Sequence, residues 1–156
     1  MAFTIQQDEL LSEQTRSLLA LHLAGMHENS PPEAVFALDL SGLQAPEITV
    51  WSVWQGERIA GIGALKIRAH NHAEIKSMRT HPDFLRRGVA RLLLSHIIAV
   101  AREKHLIQIS LETGNGPAFE PALALYRAEG FMNGPAFGGY QPSAFSQFLH
   151  LPLAMT

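Results

Sequence analysis

Residues 78–90 read MRTHPDFLRRGVA and join a predicted strand at 73–80 to a predicted helix at 88–104. The strand ends before Pro82, because proline has no backbone N–H to donate to a sheet. Beyond Gly88 the apolar residues recur with the period of a helix that packs one face on a core. A strand, a short loop and a helix in succession indicate a fold that mixes both element types.

Further strands and helices are predicted on both sides of this stretch. Ser30, Pro31 and Glu33 predict the start of a helix that runs to about residue 40, since serine can cap, proline fits the first position and glutamate completes a capping box. The turn at 55–57 predicts a hairpin. The remaining predicted elements are strands at 3–5, 48–54, 58–68, 107–111 and 145–151 and helices at 12–23 and 118–129. Together they predict an α/β or α+β fold with a mixed sheet.

The turn at Gly88 has the chemistry of an anion site. A helix start leaves several backbone N–H groups unpaired and carries partial positive charge, and glycine lets a ligand approach the backbone closely. Arg86, Arg87 and Arg91 add full positive charges at the same place. These features favour binding of a phosphate or pyrophosphate. From the residues alone, a solvated basic loop before a core helix stays equally open.

Length and composition narrow the classes of function. The chain has 156 residues, a length typical of one domain, and we expect residues 1–156 to form one. Its net charge of −2 gives no reason to expect nucleic acid or an anionic membrane as partner. The absence of cysteine excludes disulfides, thiolate metal ligands and a cysteine nucleophile. An acidic N-terminal stretch without a following apolar run does not indicate a signal peptide, so a cytoplasmic protein is expected.

The histidines do not predict a metal site. His70 and His72 alternate along an extended segment, where neighbouring side chains point apart, and no carboxylate accompanies them. His22 and His27 are expected at the rim of an acceptor cleft formed by the first two helices. The segment 26–40 and the loop 135–144 are expected to shape the same cleft.

Two motifs carry a resemblance to a known family. Residues 78–90 resemble the acetyl-CoA segment of the GCN5-related N-acetyltransferase (GNAT) family, whose signature is glutamine or arginine, two residues, glycine, one residue, then glycine or alanine. Gly88 and Ala90 match this signature, and Leu85 stands in its first position. Residues 122–131, ALALYRAEGF, are similar to the family's second signature, a helix ending in tyrosine, three residues, glycine and phenylalanine.

The resemblance extends over nearly the whole chain, because the order of predicted elements also fits. It implies a GNAT-type mixed, mostly antiparallel central sheet flanked by about four helices. It implies acetyl-CoA as co-substrate, with no metal. In the family the strand before the first signature splays from its neighbour, and its backbone pairs with the pantetheine arm at the positions of Met78, Arg79 and Thr80. The pyrophosphate would bind the N–H groups of Arg86, Arg87, Gly88, Val89, Ala90 and Arg91.

The resemblance also implies two catalytic residues. Tyr126 would protonate the departing thiolate, although without the resemblance a tyrosine in a helix core explains this position better. Glu74 would take the proton of the amine through a water, but a surface glutamate paired with Lys76 is equally consistent with the sequence. The family often has an asparagine seven residues before the tyrosine, where this chain has Phe119. Whether Asn115 replaces it stays open.

The sequence therefore predicts an acyltransferase in which the primary amine of a small molecule or amino acid attacks the acetyl thioester directly. Backbone N–H groups of the splayed strand would polarise the carbonyl. Three alternatives stay open: a non-catalytic acyl-CoA-binding sensor, a protein N-acetyltransferase and a generic nucleotide-phosphate binder. The identity of the acceptor is not predicted. A homodimer formed through the edge of the last strand also stays open.

Overall fold

The computed structural model describes residues 2–153, whose strands form one seven-stranded sheet. The strands are β1 (Thr4–Gln7), β2 (Ile48–Gln55), β3 (Arg58–Arg68), β4 (His72–Thr80), β5 (Gln108–Thr113), β6 (Met132–Asn133) and β7 (Gln147–Pro152). The helices are α1 (Glu13–Asn29), α2 (Leu40–Leu43), α3 (Val89–Glu103) and α4 (Glu120–Ala128). Short 3₁₀ turns lie at Pro32–Ala34, Pro82–Phe84 and Pro117–Phe119. No helix within the described residues has the length and apolar character needed to cross a bilayer.

The sheet has the strand order β1-β2-β3-β4-β5-β7-β6, and all neighbours are antiparallel except β4 and β5. This arrangement confirms the predicted α+β fold with a mixed, mostly antiparallel sheet. The parallel pair is short, because its register covers only His72–Glu74 of β4 against Gln108–Ser110 of β5. Beyond Glu74 and Ser110 the two strands no longer pair, and a gap opens between them.

The two faces of the sheet are covered by different helices. Consecutive strand residues point to opposite faces, and Val50 and Trp51 of β2 belong to separate apolar clusters. The cluster containing Val50 includes Leu18 and Leu19 of α1. The cluster containing Trp51 includes α3, whose predicted apolar face is buried at Val89, Leu93, Leu94, Ile97, Ile98 and Ala101. The helices therefore sandwich the sheet.

A bulge in β4 bends this strand beside the gap. The β3–β4 register shifts between Ile62 and Ala64, and Ser77 has a left-handed backbone with φ 58°. Gly63 lies at the shift, where a Cβ would come within 2.5 Å of the Met78 Sδ atom. Glycine leaves room here for the Met78 side chain to pack against the β3 backbone.

The predicted second helix is wrong. α1 continues past residue 23 to Asn29, and Ser30 follows this helix as an extended residue instead of capping a new one. The reason is the Pro31-Pro32 pair, since a residue before proline is sterically biased away from helical geometry. Only the 3₁₀ turn Pro32–Ala34 forms, and helical structure resumes at α2, which Asp39 caps through Gly42 N–H at 2.8 Å.

The last part of the sheet differs from the sequence prediction in the bounds of the last strand and in the presence of an additional strand. β7 begins at Gln147 instead of residue 145, and the two-residue strand β6 was not predicted. β6 pairs with β7 at Leu149 and His150. The last strand therefore lies between β5 and β6, and the edge that was expected to be free for a second chain is partly covered.

Candidate functional site

A cavity of 620 Å³ opens where β4 and β5 separate. Both strands present a backbone edge to it, because beyond the short parallel pair β4 is bonded only to β3 and β5 only to β7. The cavity is lined by most of the residues predicted for the site: Glu74, Met78, Arg79, Thr80, Arg86, Gly88, Val89, Ala90, Arg91 and Tyr126. The structure thus brings residues from β4, the start of α3 and α4 into one space.

The turn before α3 is shaped to leave its N–H groups available. Gly88 is the N-cap residue with φ 82°, and it has no side chain that could bond the first turn of the helix. The first turn of α3 contains no acidic residue. A Cβ built on Gly88 meets no atom within 4 Å, so open space borders the turn. The N-terminus of α3 therefore presents donors and positive charge to the cavity.

The two neighbouring arginines of the turn have different environments. Arg86 lines the cavity, whereas Arg87 is not among the lining residues. The Arg87 guanidinium lies over the rings of Phe3 and Phe84, at 5.4 and 5.2 Å from their centroids. Arg91 faces the cavity but also pairs with Glu129 at 3.6 Å. Among these side chains, Arg86 is the one that lines the cavity without an ion-pair partner in the described residues.

Tyr126 reaches the cavity from α4 while its ring lies in the core. Its side chain is 6% exposed, and the ring packs edge-on against Phe131 at 5.6 Å. Burial raises the pKa of the Tyr126 phenol above its ordinary value of about 10. The hydroxyl therefore remains protonated at neutral pH.

Glu74 belongs to a buried ionic cluster. It is 1% exposed, so it is not the surface residue that the alternative interpretation described, although the pairing with Lys76 is present. Arg68 Nη1 lies 2.9 Å from Oε1, and Lys76 Nζ lies 3.2 Å from Oε2. The Tyr140 hydroxyl donates to the same Oε2 at 2.5 Å. Burial and the neighbouring Glu74 charge raise the pKa of Tyr140.

Several residues that line the cavity were not individually predicted as site residues from the sequence. Glu112, on β5, lines the gap opposite β4, and burial raises the pKa of its carboxyl group. Phe36 and Tyr140 come from segments that were expected to shape an acceptor cleft, and their rings meet edge-on at 5.0 Å. His22 lines the cavity as expected, whereas His27 is exposed and is not among the lining residues.

The Asn115 side chain is hydrogen-bonded to the segment before β7 and to Gln147. Its amide nitrogen donates to the carbonyl oxygens of Ala144 and Phe145 at 3.1 and 2.9 Å, and its oxygen accepts from Gln147 at 2.7 Å. These bonds tie the loop after β5 to the start of β7. Asn115 is not among the cavity-lining residues, so it holds the neighbouring loop instead of the cavity wall.

Ser77 combines backbone strain with a buried hydroxyl group. It lies at the bulge of β4 with φ 58°, is 9% exposed and lines the cavity. Its Oγ atom is buried and has no hydrogen-bond partner among the described residues. A non-glycine residue in this backbone region costs roughly 1–2 kcal/mol, and a buried unpaired hydroxyl adds a desolvation cost.

We expect Ser77→Gly to raise the free energy of unfolding of the ligand-free protein by about 1 kcal/mol, since it relieves both costs at the expense of some chain entropy. Urea denaturation measures this change. Ser110→Ala is the matched control, because Ser110 is also buried on a strand but its Oγ bonds His150 Nδ1 at 2.7 Å. The control should lose about 1 kcal/mol. A loss of similar size in Ser77→Gly would contradict the prediction.

The sequence and the fold of this chain match those of known proteins. The model of the acetyltransferase (GNAT) family matches residues 10–131. The Escherichia coli protein YedL, described as an uncharacterized N-acetyltransferase, is 47% identical over 97% of this chain and 95% of its own length. The crystal structure of a Klebsiella pneumoniae protein assigned as an acyl-CoA N-acyltransferase is 26% identical, with a TM-score of 0.82 over 97% of this chain and 98% of that one. A Bacillus subtilis acetyltransferase solved in complex with CoA has a TM-score of 0.73 at 19% identity, over 98% and 100% of the two chains.

Proposed function

This chain is an N-acetyltransferase of the acetyltransferase (GNAT) family, and we propose that it moves an acetyl group from acetyl-CoA to the primary amine of a small molecule or an amino acid. One observation supports this proposal above the others. The cavity between β4 and β5 joins a helix N-terminus suited to a pyrophosphate with Tyr126, a phenol that burial keeps protonated. An anion site and a proton donor in one cavity are what transfer from a phosphate-bearing thioester requires.

The proposed coenzyme position follows the free edge of β4. The pyrophosphate accepts hydrogen bonds from the backbone N–H groups between Arg86 and Arg91, with Arg86 adding charge. The pantetheine arm lies along the backbone of Met78, Arg79 and Thr80. Arg79 and Thr80 pair with β3 on one side, and none of the three residues has a strand partner on the side of β5. This placement directs the thioester toward the bulge and α4.

In the proposed reaction the acceptor nitrogen attacks the thioester carbonyl carbon in a ternary complex. Backbone N–H groups of β4 stabilise the oxygen of the tetrahedral intermediate. The C–S bond then breaks, and the thiolate takes the proton of the Tyr126 hydroxyl. The amine loses its own proton through a water to Glu74, whose oxygens accept from Arg68, Lys76 and Tyr140 and keep a lone-pair position for that water. The products are an amide and coenzyme A.

The proposal is tested by measuring the release of free thiol from acetyl-CoA against a panel of amines and amino acids, with a peptide bearing a free N-terminus as the protein-like member. Release that depends on an amine supports the proposal. Tight acetyl-CoA binding without release on any amine would favour a sensor, and release with the peptide alone would favour a protein N-acetyltransferase. ATP raising the melting temperature as much as coenzyme A would indicate a generic phosphate binder.

We expect Gly88→Ala to weaken acetyl-CoA binding by at least about tenfold, because the added Cβ occupies the open space beside the turn and opposes its left-handed backbone. Isothermal titration calorimetry measures the Kd. Gly116→Ala is a matched control: Gly116 has φ 114°, also meets no atom within 4 Å and does not line the cavity. Both variants should lose about 1 kcal/mol of stability, and equal Kd values for the two would contradict the proposed pyrophosphate position.

A further inference from the structure

Arg79 is a half-buried cation without a carboxylate partner in the described part of the chain. It lies on β4 and lines the cavity. Its Nε donates to His22 Nδ1 at 3.1 Å, and its Nη2 donates to the His22 carbonyl oxygen at 3.4 Å. Burial lowers the pKa of the Arg79 guanidinium. A cation removed from water in this way is costly until an anion pairs with it.

The Arg79 side chain points to the opposite face of the sheet from α3. Met78, its neighbour on β4, packs with its Sδ near Gly63, on the side where Leu93 of α3 also lies. The Arg79 guanidinium instead lies against α1, where a Cβ on Gly25 would be 2.9 Å from Nη2. Glycine at position 25 therefore leaves room for the guanidinium. The charge lies on the α1 side of the cavity, away from the side chains that pack toward α3.

His22 orients the guanidinium without neutralising it. Burial, and then the charge of Arg79, lower the pKa of His22 to about 4, so its ring is neutral at pH 7. Because Nδ1 accepts from Arg79, the ring proton is on Nε2. His22 is thus a positioning residue, and the positive charge of Arg79 stays uncompensated.

The other charges of the cavity are arranged differently. Lys76 pairs with Glu74 in the cavity wall, and Arg68, which is not among the lining residues, pairs with the same carboxylate. Glu112 adds a second carboxyl group on the β5 side. An acceptor that carries an ammonium group and a carboxylate would meet the carboxyl groups of Glu74 and Glu112 in the cavity wall and, at Arg79, a guanidinium that no carboxylate of the described residues compensates.

We propose that Arg79 binds a carboxylate of the acceptor, so that the substrate of this enzyme is an amino acid or a related amino carboxylate. This inference rests on the function proposed above and narrows its acceptor. A guanidinium matches a carboxylate with two parallel hydrogen bonds, and Nη1 has no partner among the described residues. The acceptor carboxylate supplies the counter-ion that the protein lacks at this place.

The test compares the proteinogenic amino acids with their own carboxamides as acceptors, using acetyl-CoA and thiol release. For the best amino acid we expect kcat/KM to exceed that of its amide by at least about 30-fold, the size expected for a charge-assisted pair. Arg79→Gln should bring the two values within about threefold, and Arg79→Lys should retain part of the preference. Arg102→Gln, at the exposed end of α3, is the control and should keep the full preference.

Four results would overturn the inference. Wild-type enzyme that acetylates amides or simple amines as well as amino acids would show that no carboxylate is recognised, while leaving the proposed transferase function intact. A preference that survives in Arg79→Gln would assign recognition to another residue. An acetyl-CoA Kd that rises in Arg79→Gln as much as the preference falls would show that the guanidinium binds the coenzyme. Absence of transfer to every amine would overturn the proposed function and this inference together.

Discussion

Tyr126→Phe is expected to lower kcat for acetyl transfer by roughly 10²–10⁴-fold, the range of a positioned general acid, with the acetyl-CoA Kd changed by less than about threefold. The phenylalanine ring keeps the contact with Phe131 and removes only the proton that the thiolate would take. Steady-state kinetics and calorimetry at the same pH separate the two quantities. A loss confined to kcat indicates a role in the transition state instead of in coenzyme binding.

Tyr140→Phe is the matched control for this prediction. Tyr140 is the other tyrosine of the chain, lines the same cavity and also has a raised pKa, but its hydroxyl donates to Glu74. We expect a smaller loss of kcat in this variant. A larger loss in Tyr140→Phe than in Tyr126→Phe would transfer the general-acid role to Tyr140.

The pH dependence follows from the direction of the pKa shift. Burial raises the pKa of Tyr126 above about 10, and a general acid acts while it holds its proton. Wild-type kcat should therefore show no alkaline decrease attributable to this residue below about pH 10. A decrease centred near pH 8 that disappears in Tyr126→Phe would contradict the assignment of the shift.

Glu74→Gln should lower the free energy of unfolding by about 3 kcal/mol, the cost of removing one partner from a buried ion pair. Glu74 is 2% exposed in its side chain, and the change leaves Lys76, 9% exposed, and Arg68, 24% exposed, without their carboxylate. Denaturant titration measures the loss. Glu112→Gln is the control, because burial already disfavours the charge of Glu112, and its loss should be below about 1 kcal/mol.

A double-mutant cycle separates the ion pair from other effects at this position. Glu74→Gln combined with Lys76→Met should be more stable than the sum of the single changes predicts, by about 1–2 kcal/mol. Additive changes would contradict the proposed coupling. The pH profile of kcat/KM then distinguishes the two roles of Glu74: a base gives an acidic limb that disappears in Glu74→Gln, whereas a purely structural residue leaves the limb in place.

The parts of the site that follow from local sequence were predictable. The turn at Gly88 and the apolar face of α3 depend on residues close together in the chain, and both appear where the sequence indicates. The adjacent residues Arg86 and Arg87 show what local sequence does not predict. Arg86 and Arg87 are equivalent in sequence, but the aromatic rings of Phe3 and Phe84 hold Arg87 outside the cavity lining. Phe3 lies near the N-terminus, far from Arg87 in sequence, so local sequence could not predict this contact.

The environment of Glu74 could not be predicted from local sequence for the same reason. Its partners come from β3, from its own strand and from the loop before β7, and only the sheet order brings Tyr140 to it. Arg79 meets His22 in the same way, across the packing of α1 on the sheet. The prediction of a helix after α1 failed for a local reason. Pro31 and Pro32 allow only a single turn where the capping pattern predicted a whole helix.

A crystal structure of the protein with coenzyme A tests the proposed site most directly. We predict the pyrophosphate on the N–H groups between Arg86 and Arg91, the pantetheine in the gap between β4 and β5, and the sulfur within about 4 Å of the Tyr126 hydroxyl. A pyrophosphate bound away from the α3 N-terminus, or a sulfur that approaches a different side chain, would contradict this prediction.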